Sequence, residues 1–306
     1  MKILILGAGA VGGYFGGRLT EAKLDTTFLT RLNRSKILKD KGLTIKSVLG
    51  DINLPVKTTI AKDIKETYNY VILACKAYNL EEAINDIKPA IGKNTFIIPL
   101  INGIDHFKML DDKFGEEKVI RSFCFVNSKL SPEGEIIHNS KLQKIVFGGL
   151  NKNTIKGCAE FEKIISTSSL DYEFCDNIMQ SLWEKFVFIS CAASVTCLMR
   201  SDIATILKCP YGKKIVLETF KECLDIAAKS GYPLREEFEK RFYLTLTNEN
   251  LTMKTSLLSD IENNSLTEAD HIIGNMIDYA NKLNINSSML QVAYCHVKNY
   301  ELNLNN

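Results

Sequence analysis

No apolar run in this sequence approaches the roughly 18 residues that a membrane span needs, so no transmembrane segment is expected. Charge of one sign is equally scarce. The 38 Lys and Arg nearly cancel the 36 Asp and Glu, and the net +2 gives no global field for a nucleic acid or a membrane surface. The four histidines, His106, His138, His271 and His296, lack metal-ligand spacing, so metal-free chemistry is expected. The nine cysteines are odd in number, scattered, and form no CxxC pair. Cys191 and Cys197 lie in apolar stretches, where a thiol is most often a small core residue. The strand-like start Lys2–Leu6 has neither the charged region nor the cleavable apolar segment of a secretory leader. A reduced, cytoplasmic protein is the expectation. Internal repeats, low-complexity tracts and long flexible linkers are missing as well.

What is present is an ordinary globular composition, 45% apolar and 24% charged over 306 residues, long enough for two cores. The first half alternates short apolar runs with helical periods. Ile3–Leu6, Thr27–Leu29, Tyr70–Ala74 and Thr95–Ile98 read as strands, with helices starting near Val11, Ser35 and Leu80. That alternation predicts a doubly wound parallel sheet covered on both faces, an α/β fold. Further strands are expected at Val119–Val126, Ile136–His138 and Ile145–Phe147. After about Thr154 the pattern turns to helix only, over 155–168, 177–200, 212–230, 235–247, 265–283 and 287–303. The expected domains are residues 1–172, binding a nucleotide, and residues 173–306, an all-α domain. Apolar periodicity in the last helices, including Met289–Tyr300, fits internal packing and a homodimer equally.

The run Gly7-Ala8-Gly9-Ala10-Val11-Gly12 stands directly after the first strand and before a helix, which is the context a dinucleotide fingerprint requires. Gly7 permits the turn, Gly9 lets the backbone approach a pyrophosphate, and Gly12 lets the helix pack on the strand. The helix N-terminus adds unpaired N–H groups. An NAD enzyme usually carries Asp or Glu at the end of the second strand. This chain has Phe28-Leu29-Thr30-Arg31-Leu32-Asn33-Arg34 there. A guanidinium suits a 2′-phosphate, and a charged hydrogen bond of about 1.5–3 kcal/mol favours NADP roughly 10- to 150-fold. NADPH is the expected cofactor. Lys76 and Asn102-Gly103 follow the third and fourth strands, where ligands of such sheets bind. A charged strand end and a common turn dipeptide explain them as readily.

The stretch Leu182–Met199 is apolar almost all round and reads as a buried helix. Lys185 near its start is unusual, because a buried lysine needs a partner. At a cleft edge it could protonate a ketone oxygen, its pKa lowered from about 10.4. Otherwise it snorkels beside Glu184. Ser265-Leu266-Thr267-Glu268 before an apolar period reads as a capping box, with Glu268 bonding back to the cap. That helix start could also present Glu268 to a hydroxyl group.

Taken in order, Lys2–Tyr14, Thr30-Arg31, Cys75-Lys76-Ala77-Tyr78, Leu100-Ile101-Asn102-Gly103, Leu182-Trp183-Glu184-Lys185, Ser256–Asp260 and Thr267-Glu268 resemble the ketopantoate reductase (2-dehydropantoate 2-reductase) family over essentially the whole chain. The resemblance implies a Rossmann domain followed by a helical domain like that of 6-phosphogluconate dehydrogenase. It implies NADPH-dependent reduction of 2-dehydropantoate to pantoate, a step toward coenzyme A. By motif, Lys185 matches the general acid, Glu268 a residue holding substrate and cofactor ribose, and Ser256 a contact to the substrate carboxylate. Lys76 and Asn102 match residues near nicotinamide and substrate, and Arg31 the 2′-phosphate contact. Three positions depart from the family: asparagines four and eight residues after the lysine are Ile189 and Ala193, and one three residues before the serine is Met253. That implies a pocket suited to a more apolar 2-oxo acid, or a non-catalytic NADPH sensor.

Overall fold

The structure, a computed structural model, describes residues 1–304. They form two compact units, Met1–Ile101 with His106–Ile178, and Asn102–Asp105 with Met179 onward.

In the first unit the chain runs β1 (Lys2–Leu6), α1 (Ala10–Glu21), β2 (Asp25–Leu29), α2 (Leu32–Lys41), β3 (Leu43–Ser47), β4 (Ile52–Leu54) and β5 (Lys57–Thr59). It continues with β6 (Tyr70–Leu73), α3 (Leu80–Ile87), β7 (Phe96–Pro99), α4 (His106–Phe114), β8 (Arg121–Leu130), β9 (Ile136–Gly148), α5 (Lys152–Ile165) and β10 (Asp171–Phe174). One sheet is parallel throughout, in the order β5-β2-β1-β6-β7. Its strands β6 and β7 are buried at every residue, which is why they read as unbroken apolar runs. A second sheet, β10-β9-β3-β4 with β8 paired to β9, mixes parallel and antiparallel pairs. Helix α1 packs against both sheets. A Cβ on Gly16 would stand 2.6 Å from the Phe28 ring of the first, and one on Gly17 2.6 Å from Ile45 of the second.

Several expectations change here. The sequence after Thr154 is not helix alone, because β10 extends the second sheet by pairing with Lys144–Phe147. The two expected strands at 136–138 and 145–147 are halves of β9, whose intervening residues carry no alternation to show it. Strands β3, β4 and β5, of five, three and three residues, gave no apolar run to read. Helix α5 begins at Lys152, earlier than periodicity placed it, because Asn151 and Thr154 form a reciprocal capping box.

The second unit holds α6 (Ile178–Met199, from its second residue), α7 (Ile203–Lys208), α8 (Gly212–Lys229), α9 (Glu236–Leu246), α10 (Ser256–Glu262), α11 (Asn275–Lys282) and α12 (Ser288–Asn303). The short helices α7 and α10 were not anticipated. Helix α6 meets the length and apolarity test for a membrane span, although Glu184 and Lys185 interrupt its apolar run. Yet 78% of its most apolar window is buried inside the protein, with Cys191 and Cys197 fully so, as in the core helix of a folded domain.

His138 shows how a polar group is fitted into the first unit. Its ring is fully buried, 4.3 Å from that of Tyr14. The Leu142 carbonyl lies 3.1 Å from Nε2, so Nε2 carries the proton and Nδ1 accepts from the Ser47 hydroxyl at 2.9 Å. Burial, chiefly, and the Arg18 charge hold its pKa below the usual value. The unfolded chain therefore binds the extra proton more tightly, and stability falls as pH drops below about 6.5. Urea midpoints at pH 7.5 and 5.5 should show that fall in the wild type and a smaller one in His138→Gln. Equal falls would refute the assignment.

Candidate functional site

Between β1 and α1 the chain turns at Gly7, whose φ is +95° and whose N–H donates to the Leu29 carbonyl at 3.0 Å. A Cβ on Gly12 would lie 2.1 Å from the Gly7 carbonyl oxygen, whereas one on Gly9 would meet nothing within 4 Å. Thus Gly12 serves helix–strand packing, and Gly9 fronts open space. Gly9 is the cap residue of α1 and no side chain caps it, so the first turn keeps N–H groups for an anion. Strand order reverses at β1, with β2 on one side and β6 on the other, the switch point where such sheets bind ligands. Lys76 follows β6 there, half-buried, as the cap of a short 3₁₀ turn.

Arg31 caps α2 at the end of β2 and pairs with Glu82 of α3 at 2.5 Å, both side chains largely exposed. Arg34 is more deeply set. Its Nε donates to the Ala8 carbonyl at 3.0 Å, and burial lowers its pKa. Among the described residues, its buried Nη2 and the buried Thr30 hydroxyl have no hydrogen-bond partner. Open space at Gly9, uncapped N–H groups and a guanidinium with unused donors fit the phosphates of a dinucleotide. Arg31 is legible from its place at the strand end, whereas the Arg34 contact joins residues 26 apart and has no local signal.

In the helical unit, α6 acts as the post to which the other pieces are tied. Lys185, 8% exposed, donates from Nζ to Asn102 Oδ1 at 3.1 Å. Glu184 beside it is 1% exposed and is not the lysine's companion. Its carboxylate accepts from Arg235 Nε at 2.8 Å and Nη2 at 2.5 Å, from the Arg235 backbone N–H at 3.2 Å, and from Gln180. Trp183 stacks on Tyr232 at 5.4 Å and meets Tyr279 edge-on at 5.0 Å. Farther along, Ser190 donates to the Ile272 carbonyl and Thr196 bonds Thr255, the cap of α10.

Asn102 is delivered by a segment that follows β7 in sequence and packs with the helices. Gly103, at φ +89°, sits so close that a Cβ would lie 2.4 Å from the His271 carbonyl oxygen. Two residues on, Asp105 accepts from the Tyr279 hydroxyl at 3.1 Å, and burial, then this carboxylate, push the phenol's pKa up. His271 belongs to a π-helical turn, Asp270–Gly274, a distortion that recurs at functional sites. Glu268 is 5% exposed and precedes that turn. The expected capping box does not form. The helix starts at Ala269, too late for Glu268 to be its third residue, and the Thr267 hydroxyl takes the Ala269 N–H at 3.1 Å instead. Ser256 opens α10 and is exposed. The structure thus joins Lys185 to Asn102 directly, and Asn102, through Gly103, to the turn after Glu268.

Comparison with known proteins gives two family-model matches. Residues 3–152 match one described as ketopantoate reductase PanE/ApbA, and residues 177–301 its C-terminal counterpart. An uncharacterized oxidoreductase of Bacillus subtilis (strain 168), YkpB, is 34% identical over 98% of this chain and 99% of its own. A 2-dehydropantoate 2-reductase of Aquifex aeolicus (strain VF5) is 25% identical over 99% and 97%. The ternary structure of D-mandelate dehydrogenase with NADH and anilino(oxo)acetate superposes with a TM-score of 0.91 over 100% and 99%, at 22% identity, which speaks to the fold.

Gly103→Ala should cost at least about 1–2 kcal/mol, the strain of a side chain at positive φ, before the contact with His271 is counted. Thermal or urea unfolding measures it, and a variant as stable as the wild type would rule out the close approach.

Proposed function

Since the chain belongs to the ketopantoate reductase family, we propose that it reduces the keto group of 2-dehydropantoate to (R)-pantoate with NADPH, in pantothenate and coenzyme A biosynthesis. The observation that carries this reading is Lys185, buried and hydrogen-bonded to Asn102. When bound, NADPH supplies hydride to the carbonyl carbon. Lys185 Nζ gives its proton to the ketone oxygen, and the Asn102 amide oxygen orients the ammonium. Glu268 holds the substrate hydroxyl and the cofactor ribose, and Ser256 takes the substrate carboxylate. Gly7 to Gly12, Lys76 and Arg31 hold the dinucleotide, with Arg34 beside them. In this reading residues 1–172 carry the cofactor, while residues 173–306 and Asn102 carry substrate and acid.

The wall of α6 supports a second reading. One and two turns beyond Lys185 stand Ile189 and Ala193, with Met253 before α10. They offer no amide to a polar oxo acid, and each missing neutral bond weakens binding by roughly 0.5–1.5 kcal/mol. The substrate is then a more apolar 2-oxo acid. Aryl 2-oxo acids are the first to try, since the D-mandelate dehydrogenase neighbour holds the aryl-bearing anilino(oxo)acetate.

Initial rates of NADPH oxidation across 2-dehydropantoate, branched aliphatic and aryl 2-oxo acids separate the two readings. No turnover with any of them, with NADPH still bound, would leave a sensor. Lys185→Ala should keep NADPH affinity and lower turnover by about 10²–10⁴-fold, and unchanged turnover would remove the lysine from the chemistry. Arg31→Ala should cut the preference for NADPH over NADH roughly 10- to 150-fold, read from the two Kd values. An unaltered ratio transfers that role away from Arg31.

A further inference from the structure

Glu268 stands on irregular backbone, because residues 265–268 precede the first helical residue, Ala269. At its ends the segment is held by the Ser265 N–H on the Asp260 carbonyl and by the Glu268 carbonyl, which accepts from the His271 and Ile272 N–H groups. Further ties come from α12, the last helix. The Tyr300 hydroxyl donates to the Ser265 carbonyl at 2.9 Å. Glu301 Oε1 accepts from both the backbone N–H and the hydroxyl of Thr267, at 3.3 and 2.6 Å. Beyond Glu268, Asp270 accepts from the Tyr294 hydroxyl at 2.7 Å and pairs with Lys298 at 3.0 Å. Lys298 also grips Glu301 at 2.6 Å, so one ammonium bridges Asp270 and the carboxylate that holds Thr267.

Thr267 is the pivot of this arrangement. Its hydroxyl donates to Glu301 and accepts from the Ala269 N–H, which fixes the backbone on both sides of Glu268 with one oxygen. Thr267 and Glu268 are each 5% exposed and Ala269 is fully buried. The Glu301 side chain is only 12% exposed, so water competes little for its bonds. The residue before Glu268 is therefore anchored by a carboxylate that lies 33 residues beyond Glu268 in the chain.

We propose that Thr267 and Glu301 are positioning residues for Glu268, and that α12 is in this way part of the machinery that captures the oxo acid without touching it. The proposal rests on the reading that Glu268 contacts substrate. A misplacement of about 1 Å in such a group can lower rate 10²-fold, and Thr267 ties the N-terminal side of Glu268, which the helical bonds of its carbonyl do not reach.

The test is kinetic. Thr267→Val keeps the shape and loses the hydroxyl. It should lower kcat/KM for the oxo acid at least tenfold while the melting temperature stays within a few degrees. Thr267→Ser restores the hydroxyl and should return to within threefold of the wild type. In a Glu268→Gln background, Thr267→Val should cost nothing more, because its effect passes through the carboxylate already removed. Should Thr267→Val unfold below the assay temperature, Glu301→Ala removes the same bond from the α12 end and is judged by the same criteria. Full activity in Thr267→Val, or an undiminished loss in the Glu268→Gln background, overturns the positioning role alone. Full activity in Glu268→Gln overturns both this role and the reading beneath it.

Discussion

A lysine that has surrendered its water needs oxygen within reach, and in the helical unit that requirement shapes what surrounds Lys185. The Asn102 oxygen at 3.1 Å helps meet it, and Asn102 can stand there because the segment 102–105 lies against the helices. Gly103 gives that segment its closeness, since no side chain separates it from the His271 carbonyl. The π-helical turn that presents this carbonyl also follows Glu268. One close backbone approach thus links the segment that bears Asn102 to the turn that follows Glu268.

Glu184 and Lys185 are neighbours in sequence with separate duties. About 100° of helix rotation parts them, and the four bonds that enclose Glu184 spend its charge on Arg235 and Gln180. A buried carboxylate so engaged is costly to unpair. Its neighbour's ammonium accordingly keeps an amide partner. In the first unit the same separation of duties appears among glycines, Gly12 serving packing and Gly9 serving access.

What could be read from the sequence was what is local. The glycine run, the buried strands β1, β6 and β7, and the apolar α6 each declare themselves within a dozen or two residues. Strand β3 stands in the second sheet between β4 and β9, and no local pattern reports its partner some ninety residues away. Ser265-Leu266-Thr267-Glu268 fits a capping box in letters, yet the Ala269 N–H is taken by the Thr267 hydroxyl, which itself donates to distant Glu301. Asn102 and Lys185 were each visible as candidates. Their bond spans 83 positions and became visible only in the fold. The helix expected over 177–200 is α6 almost to the residue, whereas Glu184 and Lys185, by breaking its apolar run, concealed that it has the apolarity of a membrane span.

That helix has a consequence for synthesis. Tyr232, Arg235, Phe242, Thr255, Ile272 and Tyr279, which cover it in the finished protein, are all encoded after it. At about 5–20 residues per second, the wait from Met199 to Tyr279 is on the order of 4–16 s. Throughout that time a nascent 22-residue segment with the length and apolarity of a membrane span lacks the residues that will cover it. Glu184 and Lys185 then have a second use. Each raises the cost of inserting the segment into a bilayer, by up to about 3 kcal/mol near its centre, which disfavours the wrong destination until the rest of the chain arrives to enclose it.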